Sequence, residues 1–255
     1  MPSWDAGQYL QFADERTRPC QDLINRIALP EPRSIIDLGC GPGNSTAKLM
    51  QRWPAAEITG MDSSPEMIAE AAKSYPDLEW VNGDIATWKA ENNYDLVFSN
   101  AALQWVPDHG AVFPRLVKQV APGGALAIQV PANIEAPAHR LMRELAYSRP
   151  WRNHFPDKVR EWFVHEPAFY YDTVAPLVKR MDCWTTDYIH VMESPRSIVE
   201  WYKGTGLRPF LDLLSPGDQA QFLAEYQALL AMAFPHRADG RVLFPFLRMF
   251  LIAYL

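Results

Sequence analysis

Ile35-Ile36-Asp37-Leu38-Gly39-Cys40-Gly41-Pro42-Gly43 decides how the chain is read, together with Ile58-Thr59-Gly60-Met61-Asp62, whose acid stands nineteen residues after Gly43. An apolar run passes into a glycine turn, and a carboxylate stands at the tip of the next apolar run. Glycine takes positive φ without penalty and lets a ligand approach where a Cβ would collide. A helix opening directly after such a turn points its free N–H groups at that ligand. An acid ending the second strand is placed for the two hydroxyls of a ribose. The pair predicts a nucleoside site built from the glycine turn, with Cys40 inside it, and Asp62. Ser63 and Met67 follow Asp62 into the next helix and complete that edge.

The glycine spacing selects the nucleoside. A dinucleotide fold carries G-x-G-x-x-G or A, whereas here Gly39, Gly41 and Gly43 alternate and Asn44 stands three residues after Gly41. That substitution argues against a nicotinamide dehydrogenase. With Asp37 two residues ahead, the stretch is D/E-x-G-x-G-x-G. It resembles the first motif of the class I S-adenosylmethionine methyltransferases, and the match is complete from Asp37 to Gly43.

Three further stretches resemble that family in the same order. Val81-Asn82-Gly83-Asp84-Ile85 looks like its third strand end, which implies an adenine contact at Asp84 with Ile85 beside it. Tyr94-Asp95-Leu96-Val97-Phe98-Ser99-Asn100 looks like its fourth strand, which implies that Asn100 meets the methionine ammonium. Ala121-Pro122-Gly123-Gly124 and the apolar run to Val130 look like its turn and fifth strand. For Asp37 the resemblance implies an ordering role in the glycine loop or a contact with the ammonium.

Strand signals near 34–38, 57–61, 79–81, 94–98 and 124–130 alternate with helix signals near 43–52, 65–74 and 110–120. Such alternation predicts a doubly wound, mostly parallel α/β sheet with ligands at the carboxyl ends of its strands. The expected whole is a single seven-stranded, Rossmann-like methyltransferase domain over 1–255. It divides into an N-terminal helical segment 1–30, a cofactor-binding core 31–130, helical cap insertions 131–181 and 194–235, and closing strands 182–193 and 241–255.

The chain has 255 residues, 48% of them hydrophobic, and a net charge of −6. The content suffices for a large core, and the acidic balance argues against a nucleic-acid partner. Three cysteines without a targeting pattern read as a reduced, cytoplasmic protein. No run approaches the roughly 18 apolar residues of a membrane span. The histidine spacings suggest no metal site, and no obligate protein partner is evident.

The fourth strand runs into Ala101-Ala102-Leu103-Gln104-Trp105-Val106 and lacks the D/N-P-P-Y/F pattern of amine methylation. The chain is similar to the bacterial branch that methylates a carboxylate of trans-aconitate. Asn100 to Asp108 and Glu200-Trp201-Tyr202-Lys203-Gly204-Thr205-Gly206-Leu207-Arg208-Pro209 carry that likeness most specifically. It implies a small polycarboxylate substrate, methyl transfer from S-adenosylmethionine, and S-adenosylhomocysteine as product. Gln104 and Trp105 are then expected beside the transferred methyl. Arg16, His154, Tyr202, Lys203 and Arg208 are the candidates for the acceptor, since a polyacid requires several donors. The alternatives are another small acid, a malonyl group on a carrier protein, or a non-catalytic cofactor-binding module.

Overall fold

A computed structural model describes residues 13–157, 159 and 162–255. The chain order begins with helix α1 (Ala13–Arg26), strand β1 (Ser34–Leu38), α2 (Asn44–Arg52), β2 (Glu57–Asp62), α3 (Pro65–Ser74) and β3 (Glu79–Asn82). It continues through β4 (Tyr94–Asn100), α4 (His109–Val117), β5 (Val120–Pro131), α5 (Pro137–Ala146), α6 (Pro167–Val174) and β6 (Arg180–Met192). The last elements are α7 (Pro195–Lys203), α8 (Arg208–Leu211), α9 (Pro216–Ala233) and β7 (Val242–Tyr254). The expected N-terminal helix is seen from Ala13; its earlier residues lie outside the described ones.

The seven strands form one sheet in the order β3-β2-β1-β4-β5-β7-β6. The first five run parallel, and β7 is antiparallel to β5, with Gln129 opposite Phe250. This is the doubly wound, mostly parallel sheet of the sequence expectation. Order reverses direction between β1 and β4, where open α/β sheets place their ligands.

Two compact units share the chain. Among the described residues, one comprises 14–132, 162–186 and 248–255, and the other 133–157, 159 and 187–247. The segment 131–181, expected as one insertion, is thus divided between them.

In the first unit, Ile36, Leu38, Val97, Leu126, Ile128 and Val130 pack with Phe113 and Leu116 of α4 and Tyr170 of α6. Alternate residues of the same strands point to the opposite face. Asp37, Asn100 and Gln129 all lie on that face. In the second unit, Met142 of α5, Trp201 and Tyr202 of α7, and Phe222 and Tyr226 of α9 form a separate core with Phe244 and Phe246. The Tyr226 hydroxyl donates to Ala138 O at 3.0 Å, giving a buried polar group its partner.

Candidate functional site

The glycine turn is pinned from below. Gly39 N and Cys40 N both donate to Met61 O, at 2.7 and 3.0 Å. Gly39, Gly41 and Gly43 have φ of 74°, 56° and 91°, the left-handed region that only glycine enters freely. A Cβ on Gly41 would meet nothing within 4 Å, so the space above this residue is open to a ligand.

Asp62 joins the turn to β2. One carboxylate oxygen accepts from Gly41 N at 2.9 Å and the other from Ser64 N at 2.9 Å. A carboxylate offers about four acceptor positions, so each oxygen retains capacity for a ribose hydroxyl. Ser64 caps α3 by accepting from Met67 N, and Ser63 is exposed beside Asp62. These features fit a nucleoside cofactor: an open glycine cradle, and an acid whose oxygens are oriented yet not saturated.

Asp37 is fully buried. One oxygen accepts from Ser45 Oγ at 2.6 Å and Thr46 Oγ1 at 2.7 Å, tying β1 to the first turn of α2. Its other oxygen has no hydrogen-bond partner in the protein. Burial raises its pKa from 3.8 to about 6, against the two hydroxyl hydrogen bonds that lower it. A raised carboxyl holds a proton that the unfolded chain has already lost between those two values. The ionised form therefore weakens the fold above about pH 6, and stability returns as the pH falls through the folded pKa. The shift corresponds to about 3 kcal/mol. Asp37→Asn, which still accepts from both hydroxyls, is expected to be the more stable protein at pH 7.5, with the difference shrinking towards pH 5. Denaturant unfolding at pH 5, 6 and 7.5 measures it; parallel curves would show that Asp37 does not titrate.

Cys40 is buried and its thiol is pushed well up, first by burial and then by Asp37 and Asp62. It fills the turn as a neutral thiol. Asp84 is exposed, and its Oδ1 accepts from Ala86 N at 2.8 Å, which leaves the second oxygen with acceptor capacity. Ile85 is buried beneath it. Arg115 of α4 clamps this loop, donating to Ile85 O and Ala86 O at 2.8 and 2.9 Å and to Trp88 O. The sequence carried no signal for that role, since Arg115 lies 30 residues from Ile85.

The chain beyond β4 is held tightly. Ala101 has φ of 54°, uncommon without glycine. Its N–H donates to Gln129 O at 2.9 Å, and its carbonyl accepts from Gln104 Nε2 at 2.6 Å. Gln104 is buried in a short 3₁₀ turn, Leu103–Trp105, and its Oε1 has no partner in the protein. Trp105 is half-buried and meets Trp162 edge-on at 5.6 Å. His109 anchors the turn: Nε2 lies 2.9 Å from Leu103 O and Nδ1 2.8 Å from the Tyr170 hydroxyl. A carbonyl only accepts, so Nε2 carries the proton and Nδ1 accepts from Tyr170. Burial lowers the pKa of this ring, in keeping with a neutral imidazole.

Asp37, Gly39, Cys40, Gly41, Gly43, Asp62, Ser63, Met67, Asp84, Ile85, Asn100, Gln104 and Trp105 all belong to the first unit. The acceptor candidates His154, Tyr202, Lys203 and Arg208 belong to the second. His154 is exposed and faces Trp151 at 5.6 Å. Tyr202 is buried; its hydroxyl accepts from Asn133 Nδ2 at 3.3 Å and its ring meets His139 edge-on. Lys203 pairs with Glu200 at 2.9 Å, and Arg208 opens α8. The Arg16 side chain lies outside the described residues. Among the described residues, no cluster of three His, Cys, Asp or Glu side chains is arranged to hold a metal ion. No helix among them is long and apolar enough to cross a membrane.

Comparisons with known proteins agree with this geometry. A family model described as a methyltransferase domain matches residues 35–124. A trans-aconitate 2-methyltransferase of Methylobacterium nodulans is 48% identical over 254 residues, covering 99% of this chain and 98% of the relative. That of Azoarcus sp. is 46% identical over 253 residues, covering 99% of each. Among solved structures, the YcgJ protein from Bacillus subtilis superposes with a TM-score of 0.60 over 93% of this chain and 98% of its own, at 11% identity. Near-half identity over whole lengths places this chain in a family: it belongs to the trans-aconitate 2-methyltransferases, class I methyltransferases by fold.

Proposed function

We infer that the chain transfers a methyl group from S-adenosylmethionine to one carboxylate of trans-aconitate, giving a monomethyl ester and S-adenosylhomocysteine. The observation that carries this reading is the 43–48% identity, over nearly the full length, to proteins bearing that activity in their name. When bound, S-adenosylmethionine supplies the methyl group on a positively charged sulfur. The rest is the work of the chain. Asp62 holds the ribose, Asp84 and Ile85 the adenine, and the Gly39–Gly43 turn with Cys40 lines the path between them. Ser63 and Met67 close the adenine side. Asn100 receives the methionine ammonium, and the unpartnered oxygen of Asp37 adds negative charge behind it.

The reaction joins an anionic carboxylate to a cationic sulfonium and leaves both reacting centres, an ester and a thioether, neutral. A site of low polarity favours that change, because the charges needing hydration disappear on the way to the transition state. Gln104 and Trp105, tightly packed after β4, provide alignment and exclude water. The remaining arms of the acid call for cationic and hydroxyl donors, for which Arg16, His154, Tyr202, Lys203 and Arg208 are the candidates; an arginine suits a carboxylate through its two parallel N–H donors. The substrate needs no protein partner, and the sparse cysteines suit the cytoplasm.

A carboxylate is already ionised at pH 6.5, so no general base is required. With both substrates saturating, single-turnover rates are expected to be flat from pH 6.5 to 8.5, with the ester identified by mass spectrometry across a panel of di- and tricarboxylic acids. A tenfold rise per pH unit would instead assign an alcohol or amine acceptor. An absence of ester from every acid in the panel would overturn the reading.

A further inference from the structure

Gln129 is 1% exposed, yet neither its Nε2 nor its Oε1 has a hydrogen-bond partner in the protein. Its backbone is fully committed: the carbonyl accepts from Ala101 N, and the residue sits in register with Asn100 on β4 and Phe250 on β7. Register partners share a face of the sheet. The row level with the end of β4 is therefore Asn100, Gln129 and Phe250, on the face that carries Asp37. Phe250 stacks on Trp184 at 4.8 Å, so the side of Gln129 towards β7 is an aromatic wall. On its other side Asn100 Oδ1 is itself buried and unpartnered, as is Gln104 Oε1 one turn further along the chain.

Buried amides without partners are rare, and each calls for an explanation. The strand order supplies one. The ribose acid Asp62 ends β2, the glycine turn follows β1, Asn100 ends β4, and Gln129 lies opposite Asn100 two residues before the end of β5, one strand beyond Asn100. An acceptor held beyond Asn100 on this face meets the Gln129 side chain next.

We propose that the Gln129 side-chain amide donates a hydrogen bond to the reacting carboxylate of the acceptor and positions it beside Asn100. This rests on the carboxylate-methylation reading above. Because both amide atoms are unpartnered, the –NH₂ end is available in either orientation of the side chain. A neutral donor also suits the reacting carboxylate better than a cation does. That group loses its charge in the transition state, so a full positive charge beside it would stabilise the bound anion more than the transition state. Cations belong on the arms that keep their charge.

Two variants test the assignment. Gln129→Met preserves length and removes the unpaired polar atoms. Its Tm is expected to rise by about 2–4 °C, since an apolar isostere relieves a buried amide of its unmet hydrogen bonds. At the same time the acceptor KM rises about tenfold or more, while the S-adenosylmethionine KM and S-adenosylhomocysteine affinity stay at wild-type values. Gln129→Glu sets one carboxylate against another. A Glu buried beside an anion titrates above its ordinary range and donates only when protonated. Acceptor turnover by this variant is therefore expected to be lost at pH 8 and to recover at least tenfold by pH 5.5, relative to wild type measured at each pH.

A flat ratio of Gln129→Glu to wild type across that range, or a Gln129→Met acceptor KM within twofold of wild type, would overturn the proposal. Equal losses for both substrates would also overturn it and make Gln129 a packing residue. Failure of the wild-type protein to esterify any acid in the panel is a separate result, which removes the underlying reading and this proposal with it.

Discussion

Asp62→Ala is expected to bind S-adenosylhomocysteine about 10- to 150-fold more weakly, the equivalent of roughly 1.5–3 kcal/mol for hydrogen bonds to a charged group. Two effects add in the same direction. The ribose loses its acceptor, and Gly41 N and Ser64 N lose the carboxylate that holds them at 2.9 Å. Asp62→Asn isolates the first effect from the second, because an amide oxygen still accepts one of those N–H groups. It should fall between wild type and Asp62→Ala. Titration calorimetry with the product measures all three, and unchanged affinity in a folded Asp62→Ala protein would remove this residue from the ribose site.

Gly39→Ala is expected to abolish cofactor binding and to lower Tm markedly. A Cβ there would lie 2.2 Å from Ala102 Cβ, in a backbone held at φ 74°. The left-handed conformation alone costs an L-residue about 1–2 kcal/mol, and the overlap adds to it by pushing the Ala101–Ala102 corner away from the glycine turn. Ala102→Gly removes one partner of the clash. The double variant should regain part of the lost stability, a coupling that a double-mutant cycle isolates. Melting curves and product titration for the two single variants and the double decide it. A Gly39→Ala protein with wild-type Tm and affinity would mean that the turn and the corner are free to part.

Features governed by short sequence spacing were legible before any coordinates. The glycine turn and Asp62 stand out because a strand, a positive-φ turn and a strand-end acid occupy fixed offsets along the chain. Strand positions followed from apolar runs, although β4 extends to Asn100 and β5 spans Val120–Pro131, beyond what hydropathy alone delimits. Cys40 stands inside the predicted turn, and the structure buries it there as a neutral thiol. The partners of Asp37 at Ser45 and Thr46 were within reach of inspection, since hydroxyls eight and nine residues on open the helix behind the turn.

Other contributors depend on tertiary placement and leave no local mark. Arg115 acts on carbonyls about 30 residues away. His109 sits in an ordinary amphipathic helix and becomes an anchor only because Tyr170, 61 residues on, reaches its ring. Gln129 reads as one polar residue in a buried strand until the register sets it beside Asn100. The acceptor cations are the hardest to read from sequence, because a long charged side chain in a helix is ordinarily a solvated one. Lys203, already paired with Glu200, illustrates that ordinary use.

The division of the chain between its two compact units bears on how such an enzyme changes in evolution. Among the described residues the backbone passes from one unit to the other at 132/133, between 159 and 162, and at 186/187 and 247/248, so each unit is assembled from separate segments of the chain. No single crossover between two genes can exchange one unit whole, and no contiguous fragment consists of either unit alone. Neither unit can therefore be grafted as one uninterrupted module; a change confined to one of them has to be distributed over its separate segments.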